Sequence, residues 1–259
     1  MKITVKRIMT LTLAVLMLCA NILPASAESG NPLTKVLDML LSGLTRKQTP
    51  AVMPHEETVA SLREMGIAIP DQAVVEVETF FTSYRQELTG IGITRDELPH
   101  EFVTALLMFV GMGDYDYDTG KWTPTSSEVY AFDAEVFDVD HMYRLFLEGV
   151  SAIAPGFEPT DVQETIDEKP VESNVPNAMP EGTTTVSFTL HGKRFEKTLE
   201  FYGDWFNDGA IAWVNEIFAG EGFDGQLHSF YDGGQGLILL YGNAEHGERL
   251  RAIIPEPRF

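Results

Sequence analysis

Along the first half of the chain, apolar residues recur at intervals of three and four. Leu33, Val36, Leu37, Leu40, Leu41 and Leu44 mark one helix face, with Pro32 ahead of it and Gly43 near its end. A shorter helix is expected over 56–65. A third follows Pro70, with Asp71 as its N-cap and Val77, Phe80, Phe81, Tyr84 and Leu88 along one side. Its "VVEVETFFT" portion also alternates well enough to be a strand. Between 94 and 112, Thr94 and Glu97 have capping-box spacing, while Pro99 marks the start of the main helix. The run "FVTALLMFV" is apolar on nearly every side, which places that helix in a core.

After residue 112 the period shortens. "EVYAFDAEVFDV" (128–139) alternates and is rich in β-branched and aromatic residues, so it reads as a strand. Asp140 is the expected cap of a helix through "HMYRLFLEGVSAI", which Pro155-Gly156 ends. Residues 156–182 hold four prolines and many acids but few large apolar side chains, the composition of a linker. Beyond them "VSFTL-HG-KRFEKTLEF" spells a hairpin turning at His191-Gly192, which pairs Leu190 with Lys193, Phe188 with Phe195 and Val186 with Lys197. Asp204 is the expected cap of a helix carrying Ile211, Val214, Ile217 and Phe218. A second hairpin turns at Asp232-Gly233-Gly234, and Asn243 caps a last helix before Pro255.

These elements imply an α+β protein. A mainly helical region with one hairpin occupies 28–155, and an acidic, proline-rich linker occupies 156–182. The segment 183–259 is expected to fold as ββα-ββα, with an antiparallel sheet of about four strands covered on one face by two helices.

The first 27 residues change the picture by setting the compartment. Lys2, Lys6 and Arg7 precede an apolar run from Ile8 to Leu18, and Ala25-Ser26-Ala27 has the small-x-small pattern of a signal-peptidase site. The run is too short for a span of about 20 residues. Cleavage after Ala27 is expected to yield a secreted or cell-wall-zone protein with no membrane span. It also removes Cys19, the only cysteine, so neither a disulfide nor a thiolate site is available to the mature chain. Three of the 18 basic residues and none of the 39 acidic ones lie in that leader, which leaves a net charge of −24. Such a charge argues against nucleic acid and anionic membranes and favours solubility, cationic partners and divalent ions.

Candidate chemistry is sparse. In "GDYDYDTGKW" (113–122), Asp114, Asp116 and Asp118 match the first three ligand positions of an EF-hand loop. Thr119 stands where the loop requires glycine, and Thr125 where it requires a bidentate glutamate, so an EF-hand is excluded. What remains is a loose calcium site of low affinity or an acidic turn entering a hairpin. No other cofactor is indicated. "DTG" at 118–120 lacks the apolar flanks and the second triplet of an aspartic protease. His55-Glu56 and His100-Glu101 lack the second histidine of a zinc-protease helix. Asp133 and Glu135, two residues apart on a strand, would stand about 7 Å apart, the separation of an inverting glycosidase pair. Trp205, Trp213 and Tyr231 are candidate floor residues of a ligand groove. The reading that follows is a non-enzymatic extracellular binding protein for a protein or surface ligand. The alternative is a carboxylate-dependent extracellular hydrolase, glycosidase-like or peptidase-like.

Overall fold

A computed structural model describes residues 55–90, 99–116, 119, 121–135, 139–169 and 181–254. The chain divides into two units, Met1–Val52 and Met53–Phe259, and every described residue belongs to the second. The leader at 1–27, the helix at 33–44, the capping box at 94–97, Asp118 and positions 170–180 lie outside the described residues.

In chain order the elements are α1 (His55–Glu64), α2 (Asp71–Gly90), α3 (Pro99–Gly111), β1 (Asp114–Asp116), β2 (Lys121–Thr123) and β3 (Val129–Asp133). There follow α4 (Met142–Ile153), β4 (Thr160–Lys169), β5 (Glu181–Leu190), β6 (Lys193–Glu200), α5 (Gly209–Glu221), β7 (Gln226–Tyr231), β8 (Gly236–Gly242) and α6 (Ala244–Ile253). The fold is therefore mixed α+β, with antiparallel sheets. The four strands after residue 181 do not share one sheet, contrary to expectation. They fall into two three-stranded sheets, ordered β3-β8-β7 and β4-β5-β6, each completed by a strand from upstream.

The first of these sheets is central. Its middle strand, "GLILLYG", is a nearly continuous apolar run, the pattern of a strand buried on both faces. Successive side chains point to opposite faces, and the registers Val129↔Leu240, Ala131↔Ile238 and Phe230↔Ile238 line up one aliphatic face. Leu62 of α1, Phe81 of α2, Leu106 and Leu107 of α3 and Leu250 of α6 cover it. The opposite face carries Tyr130, Phe132, Leu237 and Leu239, which pack with Phe146 of α4, Val214 and Phe218 of α5, and Val186 and Phe188 of the second sheet. Each aliphatic side chain fully buried in these layers contributes about 1.5–3 kcal/mol. Gly149 on α4 lies so close to the Tyr130 ring that a Cβ there would stand 2.2 Å from it, so only glycine permits that approach.

The hairpin of β5 and β6 pairs Leu190 with Lys193, Phe188 with Phe195 and Val186 with Lys197. His191 and Gly192 both take positive φ, 50° and 76°, as a two-residue primed turn requires.

Four local expectations fail for physical reasons: Asp71, first, is the opening residue of α2 and not its cap, since the Ala73 and Val74 amides donate to the Pro70 carbonyl. Residues 160–169 are a ten-residue strand rather than linker, and Phe157 just before them is fully buried. That strand is polar because most of it is exposed, and its order comes from pairing with β5. Asp140 does not cap α4: the N-cap is His141, which makes no side-chain cap bond. Glu164 arrives from β4 instead and accepts hydrogen bonds from the Tyr143 and Arg144 amides at 3.1 and 2.5 Å. A strand carboxylate thus satisfies the helix's orphan N–H groups and ties the second sheet to α4. Asp204 likewise lies upstream of α5, whose N-cap is Asp208. Asn243 does cap α6, accepting from the His246 amide.

Candidate functional site

Three segments distant in sequence meet where β3 leaves the central sheet. The Ala134 amide donates to the Gln235 carbonyl at 2.8 Å, and the Phe206 amide donates to the Ala134 carbonyl at 2.7 Å. Isolated antiparallel bridges join Glu135 to Trp205 and Tyr202 to Trp205. Phe206 anchors the loop by burying its ring among Phe132, Phe146 and Tyr143, with centroids 5.0, 5.0 and 5.4 Å away. The residue after it, Asn207, fastens both ends of the turn. Its Nδ2 donates to the Glu200 carbonyl, and its Oδ1 accepts from the Gly209 amide. Residues 133–135, 200–208 and 231–236 therefore form one continuous surface.

That surface interleaves carboxylates with aromatic rings. Tyr202 is 43% exposed, which is high for so large a side chain, and its hydroxyl donates to Glu200 Oε2 at 2.6 Å. The Tyr231 hydroxyl donates to Asp208 Oδ2 at 3.2 Å. Trp205 and Tyr231 are half-buried and pack against the aromatic side of the core. Glu135 is held by the side-chain amide of Gln235. Asp133 Oδ1 accepts from the Glu135 amide at 3.0 Å, and Asp232 Oδ1 accepts from the Gly234 and Gly236 amides at 2.7 and 2.9 Å.

Burial pushes the Asp133 carboxyl above the ordinary carboxylate range. The Glu135 amide opposes that shift, while the charges of Glu135 and Asp232 add to it. Asp232 is also raised by burial, against the pull of the turn amides. Tyr202 and Tyr231 are raised as well, the first chiefly by its bond to Glu200 and the second chiefly by burial beside Asp208. Both phenols remain protonated donors, and each donor is aimed at a carboxylate of the same surface. What the surface offers outward is oxygen acceptors, negative charge and ring faces.

Asp133 and Glu135 do come together, though not as two residues on one face of a strand. β3 ends at Asp133, and the backbone turns so that Asp133 receives the Glu135 amide. Trp205 and Tyr231 reach this surface. Trp213 does not, since it is 7% exposed and packs 5.3 Å from Phe188 inside the core. Sequence reasoning names Tyr202 among the groove aromatics but not Asp232, Glu200, Asp208 or Gln235 as binding residues. The only signal for Asp232 was its place in "DGGQG", which also spells an ordinary turn.

Asp114 and Asp116 lie elsewhere, exposed on the two-stranded ribbon β1–β2, where Tyr115 pairs with Trp122. Asp116 Oδ1 accepts from the Thr119 amide at 3.3 Å, and Trp122 Nε1 donates to the Met112 carbonyl at 2.9 Å. Among the described residues, no three His, Cys, Asp or Glu side chains are grouped to hold a metal ion. No described helix is long and apolar enough to cross a membrane. A shallow groove between α1 and α2, lined by Val59, Ala60, Val74 and Val75, is separate from the acidic surface.

No family model, curated protein or solved structure matches the chain.

Proposed function

We propose that this chain is an exported, soluble, non-enzymatic binding protein that docks a lysine- or arginine-rich segment of a protein or surface ligand on the surface formed by 133–135, 200–208 and 231–236. The observation that supports this reading is the exposed Tyr202, set among half-buried Trp205 and Tyr231 and the carboxylates Glu135, Glu200 and Asp208. An ammonium or guanidinium group gains twice on such a surface, from paired carboxylates and from ring faces at about 0.5–2 kcal/mol each. The net charge of −24 left after cleavage steers cationic partners toward the protein from a distance. Export follows from the leader pattern at 1–27, with cleavage after Ala27.

The test is a titration with an oligolysine and an oligoarginine peptide, followed by tryptophan fluorescence, with an oligoglutamate control. Binding that weakens with salt, and at least tenfold further in Tyr202→Ala combined with Asp208→Asn, is the expected result. Equal binding by the variant places the partner elsewhere.

A second reading has one observation in its favour: burial and the neighbouring charges of Glu135 and Asp232 hold the Asp133 carboxyl up, as a general acid requires. It makes the protein a carboxylate-dependent hydrolase of sugar or peptide. Turnover of chromogenic glycosides or peptides that disappears in Asp133→Asn would establish it in place of the binding role.

A further inference from the structure

His228 lies on β7 and is 2% exposed, one of the few polar side chains inside the core. Its Nε2 sits 3.1 Å from the Gly242 carbonyl and 3.0 Å from the Asn243 carbonyl, at the joint where β8 ends and α6 begins. Both neighbours are acceptors, so Nε2 carries the hydrogen and the neutral ring keeps its lone pair on Nδ1. Nδ1 is buried without a hydrogen-bond partner. The ring lies flat under the first turn of α6: a Cβ on Gly247 would stand 2.2 Å from its Cε1 and 2.4 Å from Nδ1. Gly247 is itself buried, as is Leu250 one turn on, which seals the aliphatic face of the central sheet.

We propose that His228 is an acid-sensitive latch for the C-terminal helix: neutral, it clamps the β8–α6 joint, and protonated, it releases α6 and uncovers the aliphatic face around Ile238 and Leu240. A second proton on this ring can only go to Nδ1, where the new N–H finds no acceptor and the new charge is buried. An unpaired buried charge is among the costliest groups a fold can hold. The charge would also face the positive end of the α6 dipole.

The other ionisable groups around it do not relieve that cost. The charges of His228 and Arg249 both act on His246 of α6. Glu245, Glu248 and Arg251 of that helix are exposed. On β8 the one ionisable side chain, Tyr241, belongs to the opposite face, where it bonds to Asp224 and the Gly225 amide. On β7 Tyr231 also belongs to that opposite face. The described side chains of α3, Phe102 to Gly111, include none that titrates. The His246 imidazole is itself depressed in the fold. Burial first, then His228 and Arg249, hold its imidazole below the ordinary 6.5. A histidine depressed in the fold contributes its full stability above pH 6.5 and loses it as pH falls toward the folded value, because the unfolded chain binds the proton more readily.

The experiment is amide hydrogen exchange of the full chain at pH 7.5 and pH 5.0, each corrected for the intrinsic rate at that pH. Protection of 244–253 is expected to fall at least tenfold more than protection of β3 and β8. In His228→Gln, whose amide Nε2 can donate to the same carbonyls and cannot titrate, that difference shrinks at least threefold, to the part that His246 supplies. Unchanged protection of α6 in the wild type, or an equal fall in the glutamine variant, overturns the latch. Imidazole 15N and 13C resonances of the wild type give an independent reading. The Nε2–H tautomer with protonation coincident with α6 amide shifts is expected. Protonation of His228 with α6 resonances unmoved refutes it.

Discussion

Asp114 with Asp116, and Asp133 with Glu135, are both pairs of acids two residues apart with aromatic neighbours, and they end in opposite surroundings. The first pair stands exposed on a two-stranded ribbon. The second is covered from both sides, by Trp205 bridging to Glu135 and by Gln235 holding its carboxylate. Two-residue spacing fixes only which face a carboxylate takes on a strand. Whether that face becomes a site depends on what arrives from 70 to 100 positions away (Trp205 and Gln235 relative to Glu135), and here what arrives is a loop held by one buried phenylalanine.

The strongest way to break the contrast is to remove that anchor. Phe206→Ala deletes a ring 7% exposed and packed among Phe132, Phe146 and Tyr143. A loss of about 3–5 kcal/mol is expected from the cavity, read as a shift in the urea midpoint at unchanged slope. The loop 202–208 should then lose its exchange protection, leaving Asp133 and Glu135 as open to water as Asp114. A loss below about 1 kcal/mol would mean that the two bridges, and not the ring, hold the loop.

A smaller effect sharpens the electrostatic side. The Asp133 carboxyl is raised by burial, with Glu135 and Asp232 adding to the shift. A carboxyl with a folded pKa above its unfolded value of 3.8 binds protons more readily in the fold. Stability is then lost as pH climbs from about 3.8 through the raised value, and stays lost at neutrality. Asp133→Asn removes that charge and keeps the oxygen that accepts the Glu135 amide. The melting temperature at pH 7 should rise by about 1–2 °C, since the group is partly exposed and solvent screens it. The gain should vanish near pH 3.8, where wild-type Asp133 is protonated in the fold. A fall in melting temperature at pH 7 would mean that the ionised group has a cationic neighbour the described residues do not supply.

Much of this fold was legible wherever the code is local. The His191-Gly192 turn carries its own backbone preference, so the register Phe188↔Phe195 follows from counting outward. The central strand 236–242 betrays its depth by being apolar at consecutive positions. What could not be read depends on partners. "TDVQETIDEK" has no apolar face of its own and becomes β4 only because β5 offers a ladder. Glu164 caps α4 from a distance of 20 residues, where sequence logic looks only one or two residues upstream. The candidate surface was half legible: Trp205 and Tyr231 stood out as aromatics at a helix start and in a flanking strand, while Trp213 shared their composition and went into the core. Asp232 reads as a turn residue because it is one, and its burial beside Asp133 is a tertiary fact.

The smallest expected effect belongs to the exposed acids. Asp114→Asn and Asp116→Asn should each change stability by less than about 0.5 kcal/mol, the range of surface substitutions away from packed features. Calcium completes a shell of 6 to 8 oxygens. A three-residue strand offers alternate carboxylates on one side only, with Asp116 already receiving the Thr119 amide. Affinity near millimolar is the most such a ribbon supports, the level of the weakest extracellular calcium modules. At about 1 mM calcium the stabilisation would be about 0.4 kcal/mol, a rise of about 1 °C. Thermal melts at fixed ionic strength with calcium, magnesium or chelator decide the matter. A calcium-specific rise of many degrees at micromolar ion, lost in Asp116→Asn, would make the ribbon the true site and reverse the ranking of the two acidic stretches. Coincident melts leave Asp114 and Asp116 as the solvated edge of a hairpin whose fixed point is Trp122 on the Met112 carbonyl.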